Sequence, residues 1–112
     1  MEDKQYKLQL LMIEYGLDAI NMCIERHNLS EHKRSMWSLQ YHLYKIDQEA
    51  NANENAEDID AIHKQIDEYT NKIEEIDKKL LKYGINDSER KKIIRLAKAA
   101  FPDQWQQGFA NF

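Results

Sequence analysis

Between Ile59 and Tyr83 the apolar residues Ile59, Ile62, Ile66, Tyr69, Ile73, Ile76, Leu80 and Tyr83 recur at steps of three and four without an error. At about 3.6 residues per turn, only an α-helix gathers such a series onto one face. Sustained over several heptads, it is the pattern of helices that pack as in a coiled coil. A chain built around this segment is committed to helix packing. Three Gly and one Pro in 112 residues supply too little turn chemistry for a many-stranded sheet, so the expected class is all-α.

Other helices follow from the same periodicity. From about residue 4 to 28, Tyr6, Leu10, Ile13, Leu17, Ile20 and Ile24 mark a core-facing stripe, with Leu8, Leu11, Met12, Tyr15, Ala19, Met22 and Cys23 widening it. Gly16 inside that stripe calls for a packing reason, such as close approach of a neighbouring helix. His27-Asn28-Leu29-Ser30 reads as a break, with capping oxygens for a second helix over 30–50. That helix carries Met36, Leu39, Leu43 and Ile46 on one stripe and Trp37, Tyr41 and Tyr44 beside it. The Asn/Ala/Glu stretch between Gln48 and Asp58 reads as a loop or frayed end. The third helix, 57–83, ends at Gly84 in a left-handed cap that folds Ile85 back on the last turn. Asn86-Asp87-Ser88-Glu89 caps a fourth helix over 87–101, which Pro102 ends or kinks, and a short fifth helix fits 102–110. The expectation is one domain over 1–112, an antiparallel bundle of three long helices closed by a short C-terminal helical clamp.

A single cysteine, Cys23, makes no internal disulfide, and the N-terminus does not read as a signal peptide, which fits a reducing cytoplasm. No apolar run approaches the roughly 20 residues that cross a bilayer, so no membrane partner is expected. The small size, the Asn/Ile/Lys bias and the lack of catalytic motifs fit a protein of a bacteriophage or another mobile element.

Three patterns invite a catalytic or metal-binding reading. Glu54 and Glu57, followed by Glu74 and Asp77, reproduce an E-x-x-E then E-x-x-D spacing that resembles the magnesium-binding acids of all-α nucleoside-triphosphate pyrophosphohydrolases. The resemblance implies a Mg²⁺ site held by four carboxylates on two antiparallel helices. Here the heptads run unbroken between the two pairs, and the 17 positions from Glu57 to Glu74 span about 25 Å of helix, too far for one ion. Asp60-Ala-Ile-His63 lacks the second acid-x-x-His unit that a di-metal site needs. Cys23 and His27 lie four apart, with His32 nearby, so three zinc ligands could converge; a buried free thiol beside histidines near a helix end accounts for the same residues. No nucleophile sits in a Gly-rich elbow and no phosphate loop is present, so neither an enzyme nor a cofactor is expected.

Two surfaces and a tail remain. The net charge is -4, but it is unevenly spread: residues 57–77 hold eight acids against Lys64 and Lys72, while 88–101 hold Arg90, Lys91, Lys92, Arg95 and Lys98 against Glu89. The acidic face, with Glu68, Glu74 and Glu75 off the core stripe, suits a partner protein with a basic groove. The basic helix offers a less favoured nucleic-acid alternative. Trp105, Phe109 and Phe112 form an aromatic set that either covers the Trp37, Tyr41 and Tyr44 row or anchors a partner. The leading expectation is a small non-catalytic protein-binding regulator or inhibitor. Whether the third helix also pairs between copies, as a dimer or a tetramer, is left open by its Ile-rich seam.

Overall fold

The structure, a computed structural model, describes residues 3–110. Among these residues the fold is all-α: α1 (Asp3–Tyr15), α2 (Leu17–Glu49), α3 (Ala56–Lys82) and α4 (Asp87–Ala100), followed by one 3₁₀ turn at Trp105–Gln107. None of these helices is long and apolar enough to cross a membrane. The chain divides into two compact units, one formed by residues up to Asn28 and from Glu74 onward, the other by Leu29–Ile73. α2 and α3 pack together and each contributes to both units.

The first unit holds most of the buried apolar side chains. Leu8, Ile20, Cys23, Ile24, Leu80, Ile85 and Ile93 are its largest fully enclosed side chains. α1 and α4 are antiparallel neighbours: Gln5 Nε2 donates to the Ala100 carbonyl at 3.3 Å, and ten residues along α1 Tyr15 donates its hydroxyl proton to Glu89 at 3.2 Å. The α2 and α3 segments are tied by Arg26, whose Nε and Nη2 meet the two oxygens of Asp77 at 3.1 and 3.4 Å. At the end of α3, Gly84 takes φ +80°, the Gly84 N–H donates to Leu81 and the Ile85 N–H to Leu80. This is a Schellman closure, and it buries Ile85 as the sequence predicts. Asn86 then caps α4 by accepting the Glu89 N–H at 2.9 Å.

The first two helix boundaries differ from the expected 4–28 and 30–50. The break falls at Gly16, whose φ of +93° lies where only glycine is unstrained. No neighbouring atom crowds the glycine, so its reason is backbone conformation and not close packing. The turn resets the helical phase, and the stripe cannot run through it. α1 therefore buries Leu8, Leu11 and Met12, while Tyr6, Leu10 and Ile13, expected in the core, are exposed; Ile20 and Ile24 beyond the turn are core as expected. Residues 27–30, expected to break the chain, stay helical within α2. They contain neither Gly nor Pro, and Asn28 spends its side chain on the carbonyl of Gln106 (2.9 Å) instead of capping.

The second unit is an antiparallel helical hairpin. His32 lies edge-on to Tyr69 at 6.0 Å and Gln40 donates to the Ile59 carbonyl at 3.4 Å, so residues earlier in α2 meet residues later in α3. Its turn is ordered by the buried Asp47, which accepts the Asn55 backbone N–H at 2.9 Å and the Asn55 side-chain amide at 2.8 Å, with Asn51 at φ +48°. On α3 the buried residues of this unit are Ile62, Ile66 and Ile73, on the heptad seam. On α2 the less exposed positions of this unit include Lys33, Met36, Gln40, Leu43 and Asp47. Leu39 and Ile46, expected to share the seam with Met36 and Leu43, lie outside it and are exposed.

Candidate interaction surfaces

Several residues of the apparent catalytic patterns are engaged in other contacts. α3 is continuous from Ala56 to Lys82, so Glu57 and Glu74 occupy distant turns of one helix, and Asp77 is held by Arg26. Asp60 pairs with Lys64 at 3.4 Å and His63 with Asp67 at 3.7 Å, each an i, i+4 neighbour along α3. Cys23 is fully enclosed, His27 lies against the Trp105 ring at 5.0 Å, and His32 lies against Tyr69. Burial pushes the Cys23 thiol up to about 11; Arg90 pulls in the opposite direction and Asp77 adds to the rise. Among the described residues, no group of three or more His, Cys, Asp or Glu is placed to hold a metal ion.

The C-terminal tail docks on its own chain. Trp105 is buried, with His27 edge-on to its ring and Lys98 Nζ 5.2 Å above it in a cation–π contact. Phe109 is half-buried and meets Phe101 edge-on at 5.4 Å; Phe112 lies outside the described residues. Two asparagines on one face of α2 hold this segment. Asn21 donates to the Phe109 carbonyl at 2.7 Å and accepts the Phe109 N–H at 2.8 Å, while Asn28 donates to the carbonyl of Gln106. The expected helix over 102–110 is therefore only a 3₁₀ turn. Pro102 removes a backbone donor, Gly108 turns the chain at φ +77°, and Phe109 gives its backbone groups to Asn21. Sequence reasoning missed Asn21 and Asn28. Their seven-residue spacing, which puts both amides on one face of α2, is the signal that could have found them.

The aromatic row of α2 is exposed among the described residues. Trp37, Tyr41 and Tyr44 are 60%, 65% and 57% exposed, with Lys45 Nζ 5.8 Å from the Tyr41 ring centre. Leu39 and Leu43 on α2, with Ala61 and Ile62 on α3, line an apolar groove of about 300 Å³ in the same unit, with Asp58 and Gln65 at its edge. Glu68, Glu74 and Glu75 are exposed along α3.

The basic set divides. Arg90 is buried, with Nη2 3.5 Å from Asp87 and an Nε that has no hydrogen-bond partner among the described residues. It faces a depression of about 470 Å³ between the end of α3 and the start of α4, where Asp77 and Asp87 also line the wall. Two carboxylates on that wall oppose an anionic ligand. Lys91, Lys92, Arg95 and Lys98 are exposed. Lys92 and Arg95 join Lys4 and Lys7 of α1 around a shallow depression floored by Leu96 and Ala99.

Fold and surfaces together define an all-α chain with a row of large aromatic side chains, Trp37, Tyr41 and Tyr44, exposed on one hairpin. No protein-family model, curated protein or solved structure matches it.

Proposed function

We propose that the chain is a non-catalytic protein-binding regulator whose second unit presents the Trp37, Tyr41 and Tyr44 row to a partner protein. The observation that carries this reading is the exposure of three large aromatic rings, spaced i, i+4 and i+7 on one helix face, in a hairpin with few buried apolar residues of its own. Scattered exposed apolar residues are ordinary, but a contiguous aromatic row on a rigid helix is the arrangement by which helices dock into apolar clefts. Trp and Tyr supply large contact area at low entropic cost and dominate binding hot spots. The exposed Glu68, Glu74 and Glu75 carboxylates would steer a partner with a basic rim, raising its association rate more than its final affinity. Trp105 and Phe109 support the fold in this reading, since their contacts lie within the chain.

The test is photo-crosslinking from lysate with wild type and a Trp37→Ala/Tyr41→Ala variant. Loss of about 2 kcal/mol or more per anchoring ring would cut capture by tenfold or more. Melting should hardly change, because both rings are exposed. Charge reversal at Glu68, Glu74 and Glu75 should slow capture in a salt-dependent way.

A nucleic-acid reading is favoured by one observation, the four cations around the Leu96 and Ala99 floor. If capture depends on Lys91, Lys92, Arg95 and Lys98, is indifferent to Trp37 and falls steeply with salt, that reading replaces the first.

A further inference from the structure

We propose that α1 is a self-association helix, through which two copies of this chain pair antiparallel about a two-fold axis. α1 is apolar on two opposite sides. Leu8, Leu11 and Met12 are buried, while Tyr6, Leu10 and Ile13 are 54%, 46% and 70% exposed. At about 100° per residue the two sets are centred roughly 180° apart. A surface helix that buries one face ordinarily turns a polar face to water, and one that is apolar all round is ordinarily enclosed. Tyr6, Leu10 and Ile13 are spaced four and three apart, the spacing of a helix-pairing seam.

The charges beside the seam select the occupant. Lys7 and Glu14 lie seven residues apart along the same edge, one at each end of the stripe, and both are exposed. When a second α1 is laid antiparallel with its Ile13 against Leu10, the two-fold generates the reciprocal Leu10–Ile13 layer. The same register sets Lys7 of each copy beside Glu14 of the other. A parallel copy aligns seam with seam but brings Glu14 beside Gln9 and forms no Lys7–Glu14 pair. The surface is therefore complementary to itself in one orientation, as a two-fold interface requires. Asp3 already holds Lys7 Nζ at 3.0 Å, yet the Lys7 side chain remains more than half exposed and within reach of a second carboxylate. The three stripe residues expose on the order of 350 Å² per copy, under half of the roughly 800 Å² that a stable dimer buries on each partner. The association is accordingly weak and concentration-dependent, with a Kd of about micromolar or above.

Sedimentation equilibrium of the full chain, from about 5 to about 500 µM to bracket such a Kd, tests the proposal. Wild type should fit a monomer–dimer equilibrium, and Ile13→Glu should abolish the dimer with an unchanged melting temperature, since Ile13 is exposed. Lys7→Glu and Glu14→Lys should each weaken the dimer by about tenfold, because each turns two attractive pairs into repulsive ones. The Lys7→Glu/Glu14→Lys double variant should recover most of that loss. A chain that stays monomeric across the range overturns the proposal. So does a dimer indifferent to Ile13→Glu, or a double variant as weak as its parents, which would assign the stripe to a different partner or geometry.

Discussion

Asn21 is the side chain on which attachment of the C-terminal segment depends most directly. Its amide makes two hydrogen bonds with the backbone of one residue, Phe109, closing a ring much as two neighbouring strands would. Asn21→Ala removes both bonds and leaves the Phe109 N–H and carbonyl unmatched in a partly buried place. At a net 0.5 to 1.5 kcal/mol per bond, the expected cost is about 1 to 3 kcal/mol. Asn21→Asp discriminates further. It keeps an acceptor for the Phe109 N–H but faces the Phe109 carbonyl with a second oxygen, so it should cost at least as much as alanine despite being nearly isosteric. Chemical denaturation gives the stability change, and Trp105 emission reports the segment, because the ring is buried only while the tail is docked; a Trp37→Phe background removes the second indole. Both variants should red-shift that emission in the native baseline. If neither shifts it, and Asn21→Asp is as stable as wild type, the amide bracket does not hold the tail.

The seam of α3 should behave as core: Ile66→Ala or Ile73→Ala should destabilise by about 2 to 5 kcal/mol in denaturant melts, against a few tenths for the exposed Glu68→Ala. The Cys23 thiol should be labelled slowly by an aromatic disulfide reagent near neutral pH, at a rate that follows opening of the structure. Because its folded pKa is raised to about 11 from 9.0, its contribution to stability is fully present below pH 9.0 and is lost as the unfolded thiol ionises between pH 9.0 and about 11. A pH-independent stability across that window in wild type, matched by Cys23→Ala, would refute the assignment. With Mg²⁺ or Mn²⁺ the protein should leave nucleoside triphosphates intact by phosphate-release assay. Turnover abolished by Glu74→Ala and Asp77→Ala would overturn both the non-catalytic reading and the reasoning from helix continuity.

Local, strongly periodic features were legible in the sequence. The α3 heptad, its Gly84 closure with Ile85 folded back and the Asn86 cap each depend on residues a few positions apart, and each is found where the pattern puts it, except that Tyr83, expected at the end of the stripe, lies past α3 and is exposed. What failed depended on contacts across the chain. Nothing nearby in sequence specifies the positive φ of Gly16, so the periodicity runs through it and ranks Tyr6, Leu10 and Ile13 ahead of Leu8, Leu11 and Met12, the row of α1 that is buried. Asn28 reads as a cap because asparagine commonly caps helices, whereas its partner is Gln106, 78 residues away. Trp105 stands out in the sequence only as one of an aromatic set, and the residues that meet its ring, His27 and Lys98, lie 78 and 7 positions away on two different helices.

The distribution of polar and apolar side chains in the second unit says more than a shortage of core would. On α2 the least exposed positions include Gln40 and Asp47, and both have structural work there: Gln40 bonds to Ile59, and Asp47 holds the hairpin turn. Leu39, Tyr41, Tyr44 and Ile46 flank them and point to water. A hairpin selected for stability alone would exchange those roles, since apolar burial at about 25 cal/mol per Å² outweighs the net gain of a typical hydrogen bond. Local rules broken in a consistent direction fit the proposed role of this surface in docking a partner. The polar seam residues set register and turn geometry, which hydrophobic contact alone specifies poorly, and they leave the aromatic row free in a defined orientation. A partner that docks there would supply the second layer a two-helix hairpin lacks. Binding and stabilisation of this unit should then be coupled: amide exchange in residues 29–73 should slow in the complex, while the already well-packed first unit changes little.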